Sequence, residues 1–290
     1  MKNKAFVFSG FLVLILAMVM GSCNKSTSLN AGAANQQQLS LYLTDGPGLF
    51  DHVYIDILSV KVLVDTSADT RMHDNTDWDR RGADDHKNDS SLVWSNLNIK
   101  AGVYDVLSFR NGADTLLAAS GIPKGSVRLI KIELGPNNSL VKDSVTYPLS
   151  LPPGSLNYVL LKLKGHECEE YEPGKNRLWL DFDITRSIVQ NAANKFMLKP
   201  VIHFFVVSSS GSIVGKVLPK ESYPVITVYN STDTAYALPN PDGFFKLRGL
   251  KDGTYDVFIN ASNGYFDSTL HQVVVKAPGE TSLGSITLRK

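Results

Sequence analysis

Along most of the chain apolar and polar side chains alternate, and the alternation is broken by Gly, Pro, Asn and Asp. A period of two places successive side chains on opposite faces of an extended backbone, so it predicts half-buried strands. Leu39–Leu43 is the first such segment. His52–Val64 is longer and changes phase: Val53, Ile55 and Ile57 share one face, then Leu58, Val60, Val62 and Val64 share the other. The switch near Leu58 and Ser59 predicts a bulge, or a strand crossing between two sheets. Val127–Leu134 turns Ile130, Ile132 and Leu134 one way and Lys131 and Glu133 the other, and Asn157–Leu163 and Leu178–Thr185 follow. Met197–Val207 is apolar enough to predict a strand buried on both faces. No segment of the mature chain has the period of a long amphipathic helix, so the fold class is all-β.

A boundary falls at Ser208–Gly211. Beyond it the turns become regular: Pro241, Asp242 and Gly243 precede Phe244–Leu247, and Lys251, Asp252 and Gly253 precede Thr254–Ala261. In that last strand Tyr255, Val257 and Ile259 face one way and Thr254, Asp256 and Asn260 the other, which fits a small sandwich. The pattern predicts two β-sandwich domains, over 39–207 (with a polar insertion at 65–91) and 211–290.

The N-terminus reads differently. Lys2 and Lys4 lead into an apolar run from Ala5 to Met20, closed by Gly21 and Ser22. That is the layout of an export signal over 1–22, slightly short for a membrane-spanning helix of about 20 apolar residues. Residues 23–38 carry no large apolar side chain except Leu29 and read as a flexible tether. Met20, Gly21, Ser22 and Cys23 together resemble the lipobox of bacterial lipoproteins. The resemblance implies cleavage between Ser22 and Cys23 and diacylglycerol on the Cys23 sulfur, with acylation of the freed amine. One acyl chain holds a protein only marginally, whereas two or three hold it firmly. In such lipoproteins an Asp after the cysteine retains the protein in the inner membrane; here Asn24 follows, which favours the outer membrane.

Two further resemblances cover the folded part. Residues 39–206 resemble the DUF4382 type of envelope lipoprotein through Leu43–Pro47, Val53–Val64, Leu107–Gly112, Leu180–Ser187 and Leu198–Ile202. This implies a β-sandwich and an envelope address, without an established activity. Residues 211–290 resemble the carboxypeptidase regulatory-like family, a transthyretin-like sandwich. Gly215, Val217, Pro241–Phe245, Leu247–Leu250, Gly253–Val257, Gly264 and Tyr265 carry that likeness. It implies a non-catalytic module in a fold group that includes carbohydrate-binding domains.

Charge and cysteine content narrow the picture. Without Lys2 and Lys4 the mature chain keeps 27 of the 29 basic residues against 28 acidic ones. That balance gives no basic footprint for nucleic acid. Cys168 is the one cysteine besides Cys23, so the fold is expected to stand on its apolar core without a disulfide.

Three stretches hold candidate chemistry. The insertion 65–91 has eight aspartates and, at Asp77, Asp79 and Gly82, half of a calcium loop. Arg81 and Asn88 stand where that loop needs an oxygen donor and a bidentate Glu, so the main expectation is a solvated mixed-charge loop. A partner-binding tip with Trp78 exposed is the other candidate. His166, Glu167, Cys168, Glu169, Glu170 and Glu172 could approach a metal, but one His and one Cys without a second pair fall short of a zinc set. They read as a polar hairpin loop turning at Pro173 and Gly174, with an exposed thiol. On the strand Arg177–Thr185, Leu178, Leu180, Phe182 and Ile184 point to the core, leaving Arg177, Trp179, Asp181 and Asp183 on the opposite face. A flat aromatic beside carboxylates suits a sugar platform. The competing expectation is a ladder of cross-strand pairs with Tyr158, Lys162 and Lys164, or a second buried layer. Asp181 and Asp183 sit too close along one strand to flank a glycosidic bond, and no nucleophile elbow, metalloprotease pair, P-loop or dinucleotide fingerprint occurs.

The sequence therefore predicts a non-catalytic, lipid-anchored outer-membrane protein without a metal or other cofactor. It would bind a carbohydrate or another envelope protein. A structural subunit of an outer-membrane assembly and a metal-assisted enzyme are the alternatives.

Overall fold

The computed structural model describes residues 35–45, 49–68, 78, 89–164, 167–191 and 195–290. The signal segment, Ser22 and Cys23, most of the tether, the calcium-like stretch of the insertion and His166 lie outside them. Described strands of the first sandwich are β1 (Gln36–Asp45), β2 (His52–Asp65), β3 (Leu92–Leu97), β4 (Gly102–Asp105), β5 (Thr115–Pro123), β6 (Ser126–Leu134), β7 (Asn138–Lys142), β8 (Val145–Ser150), β9 (Tyr158–Lys162), β10 (Glu169–Glu172), β11 (Lys175–Phe182), β12 (Ile188–Gln190), β13 (Phe196–Leu198) and β14 (Ile202–Phe205), with a helical turn α1 (Ile184–Ser187) before β12. One sheet runs β10-β11-β1-β5, with β14 continuing beyond β10 along the same edge of β11. The other runs β12-β13-β8-β7-β2-β6-β9, with β3 and β4 on the free side of β2.

The inward alternation of both sheets makes one core. Leu39, Leu41 and Leu43 of β1 and Leu178, Leu180 and Phe182 of β11 lie side by side in parallel register. They share their core with Val53, Ile55, Val60 and Val62 of β2 and Ile130 and Ile132 of β6. Each such side chain contributes about 1.5–3 kcal/mol on burial. The phase change in β2 is a bulge: its register against β6 shifts between Ile57 and Ser59, and Leu58 turns outward.

Two segments depart from expectation. Met197–Val207 is not one buried strand. It divides at Lys199 and Pro200 into β13 and β14, which belong to different sheets, and His203 is exposed. Proline lacks the N–H that a central strand needs, so the chain changes sheets there. The first strand also begins three residues early. Gln38 N–H donates to the Gly174 carbonyl (2.8 Å) and Gln37 Nε2 to the Gly125 carbonyl (2.7 Å), which draws Gln36–Gln38 out of the tether.

The insertion gives a third correction. Trp78 is not an exposed tip; it is buried against Leu63, Leu92 and Leu129, with Trp94 and Leu160 alongside. An indole carries some of the largest apolar area of any side chain, and here it closes a small core on the outer face of β2 and β6. Asp65 is equally withdrawn from the loop. It ends β2 and takes Arg128 Nε (3.1 Å) and Nη2 (2.9 Å) on one oxygen and Ser67 N–H and Oγ on the other.

The second sandwich has β15 (Gly211–Leu218), β16 (Val225–Tyr229), β17 (Thr234–Ala237), β18 (Phe244–Leu250), β19 (Gly253–Asn260), β20 (Ser268–Val275) and β21 (Gly279–Thr287). Its sheets are β18-β15-β21 and β17-β16-β19-β20. Tyr255, Val257 and Ile259 point into its core as the alternation requires. Gly243, at φ +83°, lets β18 start against β15; a Cβ there would meet the Val217 carbonyl oxygen at 2.4 Å. Both sandwiches belong to one compact unit, Asn35–Lys290.

Candidate functional site

The outer face of β11 does not meet the strand expected beside it. β9, with Tyr158 and Lys162, pairs with β6 in the other sheet. The neighbours of β11 are β1, β10 and β14, which set Tyr42 and Phe205 opposite Trp179 and Glu169 opposite Arg177. Trp179 is therefore sandwiched between Tyr42 (ring centroids 5.1 Å apart, 16° between planes) and Phe205 (6.1 Å, 21°). Its Nε1–H donates to Asp114 (3.0 Å), and the Arg177 guanidinium lies 5.2 Å from its centroid. Arg177 pairs with Glu169 at 2.8 Å. Both ring faces of Trp179 are thus occupied by protein, and a sugar cannot stack on it. The residue is a second buried layer, one of the readings the sequence left open.

Asp181 lies further along the strand, and Asp183 follows its end. Asp183 caps α1 by accepting from the Arg186 N–H (3.0 Å) and lies 3.7 Å from His203 Nε2. Burial pushes its carboxyl up, but the hydrogen bonds from His203 and Arg186 outweigh that and leave it below the usual carboxylate value. His203 is raised in turn, first by its bond to Asp183.

Beside this face the two sandwiches meet. Arg248 of β18 reaches across to Asp114 (3.0 and 3.1 Å) and the Ala113 carbonyl (3.3 Å), and donates to the Thr44 hydroxyl (3.4 Å). Its guanidinium stands 5.9 Å from the centre of Phe205. Asn111 completes the joint: its Nδ2 donates to the Leu238 carbonyl (3.1 Å), and its Oδ1 accepts from the Lys246 N–H (3.5 Å). Asn111 sits at φ +58° and Gly112 at φ +83°, a tight turn that brings the Gly112 backbone against the Lys246 side chain. Charge-assisted bonds of this kind contribute about 1.5–3 kcal/mol each when sheltered.

The seam is not filled. A cleft of about 230 Å³ lies between Asp181, Asp183 and His203 on one side and Asp233, Tyr236 and Lys251 on the other. It shares Asp181, Phe205, Tyr236 and Arg248 with a smaller cavity of about 40 Å³ that reaches Asp45, Arg110 and Asn111. Arg110 and Leu238 in turn border a shallow groove of about 750 Å³, lined by Leu49, Tyr223, Pro224 and Pro239. Asp45 is the unusual member. It is buried, and neither carboxylate oxygen has a hydrogen-bond partner among the described residues. Burial first, then the negative charges of Asp181 and Asp183, push its pKa well above 3.8; Arg110 opposes them.

The sequence assigns no binding role to Asp45, Arg110, Asn111, Asp114 or Arg248. A signal for the first was present: Leu39, Leu41, Leu43 and Asp45 are spaced by two, so the inward register of β1 ends on a carboxylate. For the rest, Leu107–Gly112 and Leu247–Leu250 carry family likenesses, but nothing local tells that they face each other.

The His166–Glu172 stretch is weaker than its composition suggested. Cys168 is half-buried against the first core, not exposed, and burial with the nearby Glu167 pushes its thiol up to about 12. A thiol held protonated is a poor nucleophile and a poor metal ligand. Among the described residues no three His, Cys, Asp or Glu side chains gather as a metal cage, and no helix is long and apolar enough to cross a membrane.

A family model described as a domain of unknown function, DUF4382, matches residues 36–200, more than half of the chain. The chain belongs to the DUF4382 family. The matched region holds Asp45, Arg110, Asn111, Asp114 and the β11 face, and Arg248 reaches it from outside. No curated protein matches. Among solved structures, the chain is similar to the minor pilin GBS52 of Streptococcus agalactiae, at 11% identity over 88% of this chain and 96% of that one, with a TM-score of 0.22. It is similar to the shaft pilin SpaA of Lactobacillus rhamnosus GG at 10% identity over 87% and 97%, with a TM-score of 0.24. A type II cohesin–X-dockerin complex of Acetivibrio cellulolyticus matches 27% of this chain at 22% identity and a TM-score of 0.23; the match spans 56% of that chain's length. At such TM-scores the functions of these neighbours stay with them.

Proposed function

We propose that this DUF4382 protein is a non-catalytic envelope protein, held to the outer membrane by lipid on Cys23, that binds its ligand in the seam between its two sandwiches. The observation that carries the reading is the seam itself: clefts run along the joint, and Asp45, a buried carboxylate without a hydrogen-bond partner among the described residues, lines one of them. Ligand pockets commonly form at domain junctions, with a few polar groups on apolar walls. The ionisable groups at the cleft mouth are tied to one another, as Asp183 is to His203 and Arg186. With Trp179 withdrawn as a stacking platform, a segment of another envelope protein fits better than a glycan. The wide groove presents Tyr223 and Leu49 at 70% and 72% exposure beside Pro224 and Pro239, and extended apolar segments dock on such surfaces.

Photo-crosslinking in intact cells tests this. A photoreactive side chain at Tyr223 or Tyr236 should capture one discrete envelope protein, and the same group at Phe266, exposed on the second sandwich away from the seam clefts, should not. Equal capture from all three positions, or capture from Phe266 alone, contradicts the seam. A glycan array on the same protein separates the two ligand classes. The anchor is tested apart: Cys23→Ser should move the protein from the membrane fraction to the soluble fraction, and unchanged fractionation removes the lipid.

A further inference from the structure

Asp45 continues the inward register of Leu39, Leu41 and Leu43, and its two oxygens are closed to solvent without a hydrogen-bond partner among the described residues. A carboxyl so placed is tolerated as the neutral acid and costly as the anion. The charges that act on it are Asp181 on β11, Asp183 after that strand, Asp105 at the end of β4, and one cation, Arg110. Lys246 and Arg248 of β18 border the same cavity but are held by Glu280 (2.7 Å) and Asp114 (3.0 Å), and His203 lies against Asp183. Arg110 belongs to the turn that grips the second sandwich. The hydroxyl of Thr44, the residue before Asp45, is shared between the carbonyls at the two ends of that turn, Phe109 (3.0 Å) and Ala113 (2.9 Å). From the turn Asn111 holds Leu238 and Lys246, and Ala113 and Asp114 accept from Arg248. The Asp114 oxygen that takes Arg248 also takes the Trp179 indole N–H.

We propose that the joint between the sandwiches is proton-linked: it is closed while Asp45 is neutral and loosens when Asp45 ionises. An anion at this position needs water. The cavity that Asp45 shares with Arg110, Asn111 and Gly112, about 40 Å³, is large enough to hold it. Admitting that water to the closed oxygens displaces the turn from Thr44, and the grip on β18 goes with the turn. The direction follows from the environment. Burial, Asp181 and Asp183 hold the acid well above 3.8, so the joint is tight at low pH and gives way as pH rises through the folded value. The linkage is a property of the joint and does not depend on what the seam binds.

The test is NMR of the three tryptophan indole N–H groups across a pH titration of the full mature chain in detergent, with the Asp45 carboxyl followed in the same samples. The Trp179 signal, which reports the bond to Asp114 in the joint, should move with the midpoint of Asp45. Trp78 and Trp94, in the separate small core, should stay still. In Asp45→Asn the Trp179 signal should stay still as well. Coupling is reciprocal, so Arg248→Ala, which weakens the joint, should lower the Asp45 midpoint by at least about 0.7 pH unit, a fivefold effect at the low end of ordinary coupling. A Trp179 signal that ignores the Asp45 midpoint would overturn the proposal, as would an unchanged midpoint in Arg248→Ala. Movement that persists in Asp45→Asn but vanishes in His203→Gln would assign the titration to the His203–Asp183 pair and overturn it. Movement of all three indoles together would mean that the whole fold loosens, and would overturn it too.

Discussion

In the first sandwich β1 ends on Asp45 and β2 ends on Asp65, and the two ends are finished differently. Both aspartates are buried, and both have an arginine nearby. Asp65 has its charge met on every side: Arg128 holds one oxygen through two nitrogens, and Ser67 holds the other through its N–H and hydroxyl. Asp45 shares a cavity wall with Arg110 but makes no hydrogen bond to it. A closed pair is part of the scaffold and is costly to break. An open one, without a partner among the described residues, is strained by its own burial.

The largest effect should come from the closed end. Arg128→Met leaves Asp65 buried without its partner and should cost about 3–5 kcal/mol in urea unfolding; Arg110→Gln, at the open end, should stay within about 0.5 kcal/mol. Equal losses would erase the distinction. Next comes the joint. Arg248→Ala removes the bonds to Asp114 and Ala113, and should cost about 1.5–3 kcal/mol. It should also raise amide exchange in Asn111–Asp114 without touching Asp65. Asp45→Asn should work in the opposite direction and stabilise the protein at neutral pH by about 1–3 kcal/mol. Because Asp45 is raised, the stability it carries is fully present below its ordinary value of 3.8 and is lost as pH rises through the folded value. The variant's advantage should therefore grow with pH over that window, and a constant difference would contradict the shift. The smallest effect belongs to His203. Its raised pKa means that its bond to Asp183 stabilises fully below about 6.5 and fades as pH rises through the folded value. The pair is half exposed, so His203→Gln should remove only about 0.2–1 kcal/mol of that pH dependence.

Much of the scaffold could be read in the chain. The inward faces of β2, β6, β11 and β19 follow from a period of two, and the bulge near Leu58 from its change of phase. What could not be read was which strands become neighbours. Sequence order suggests Tyr158 beside Trp179, but β9 belongs to the other sheet, and the true neighbours are Tyr42, from the first strand of the domain, and Phe205, from its last. Long-range pairing of this kind carries no local signal. Trp78 failed for a related reason: within a run of charges it reads as an exposed tip, and only the outer face of β2 and β6 gives it somewhere to bury. The seam was hidden in the same way, since Arg248 and Asp114 are 134 residues apart.

The contrast between the two strand ends is tested most directly by carbon-detected NMR of the Asp45 side-chain carboxyl across a pH titration. A buried carboxyl that Arg110 does not close on should titrate well above 3.8. A midpoint at or below that value would mean that Arg110 closes on Asp45 in solution and that the two ends are finished alike.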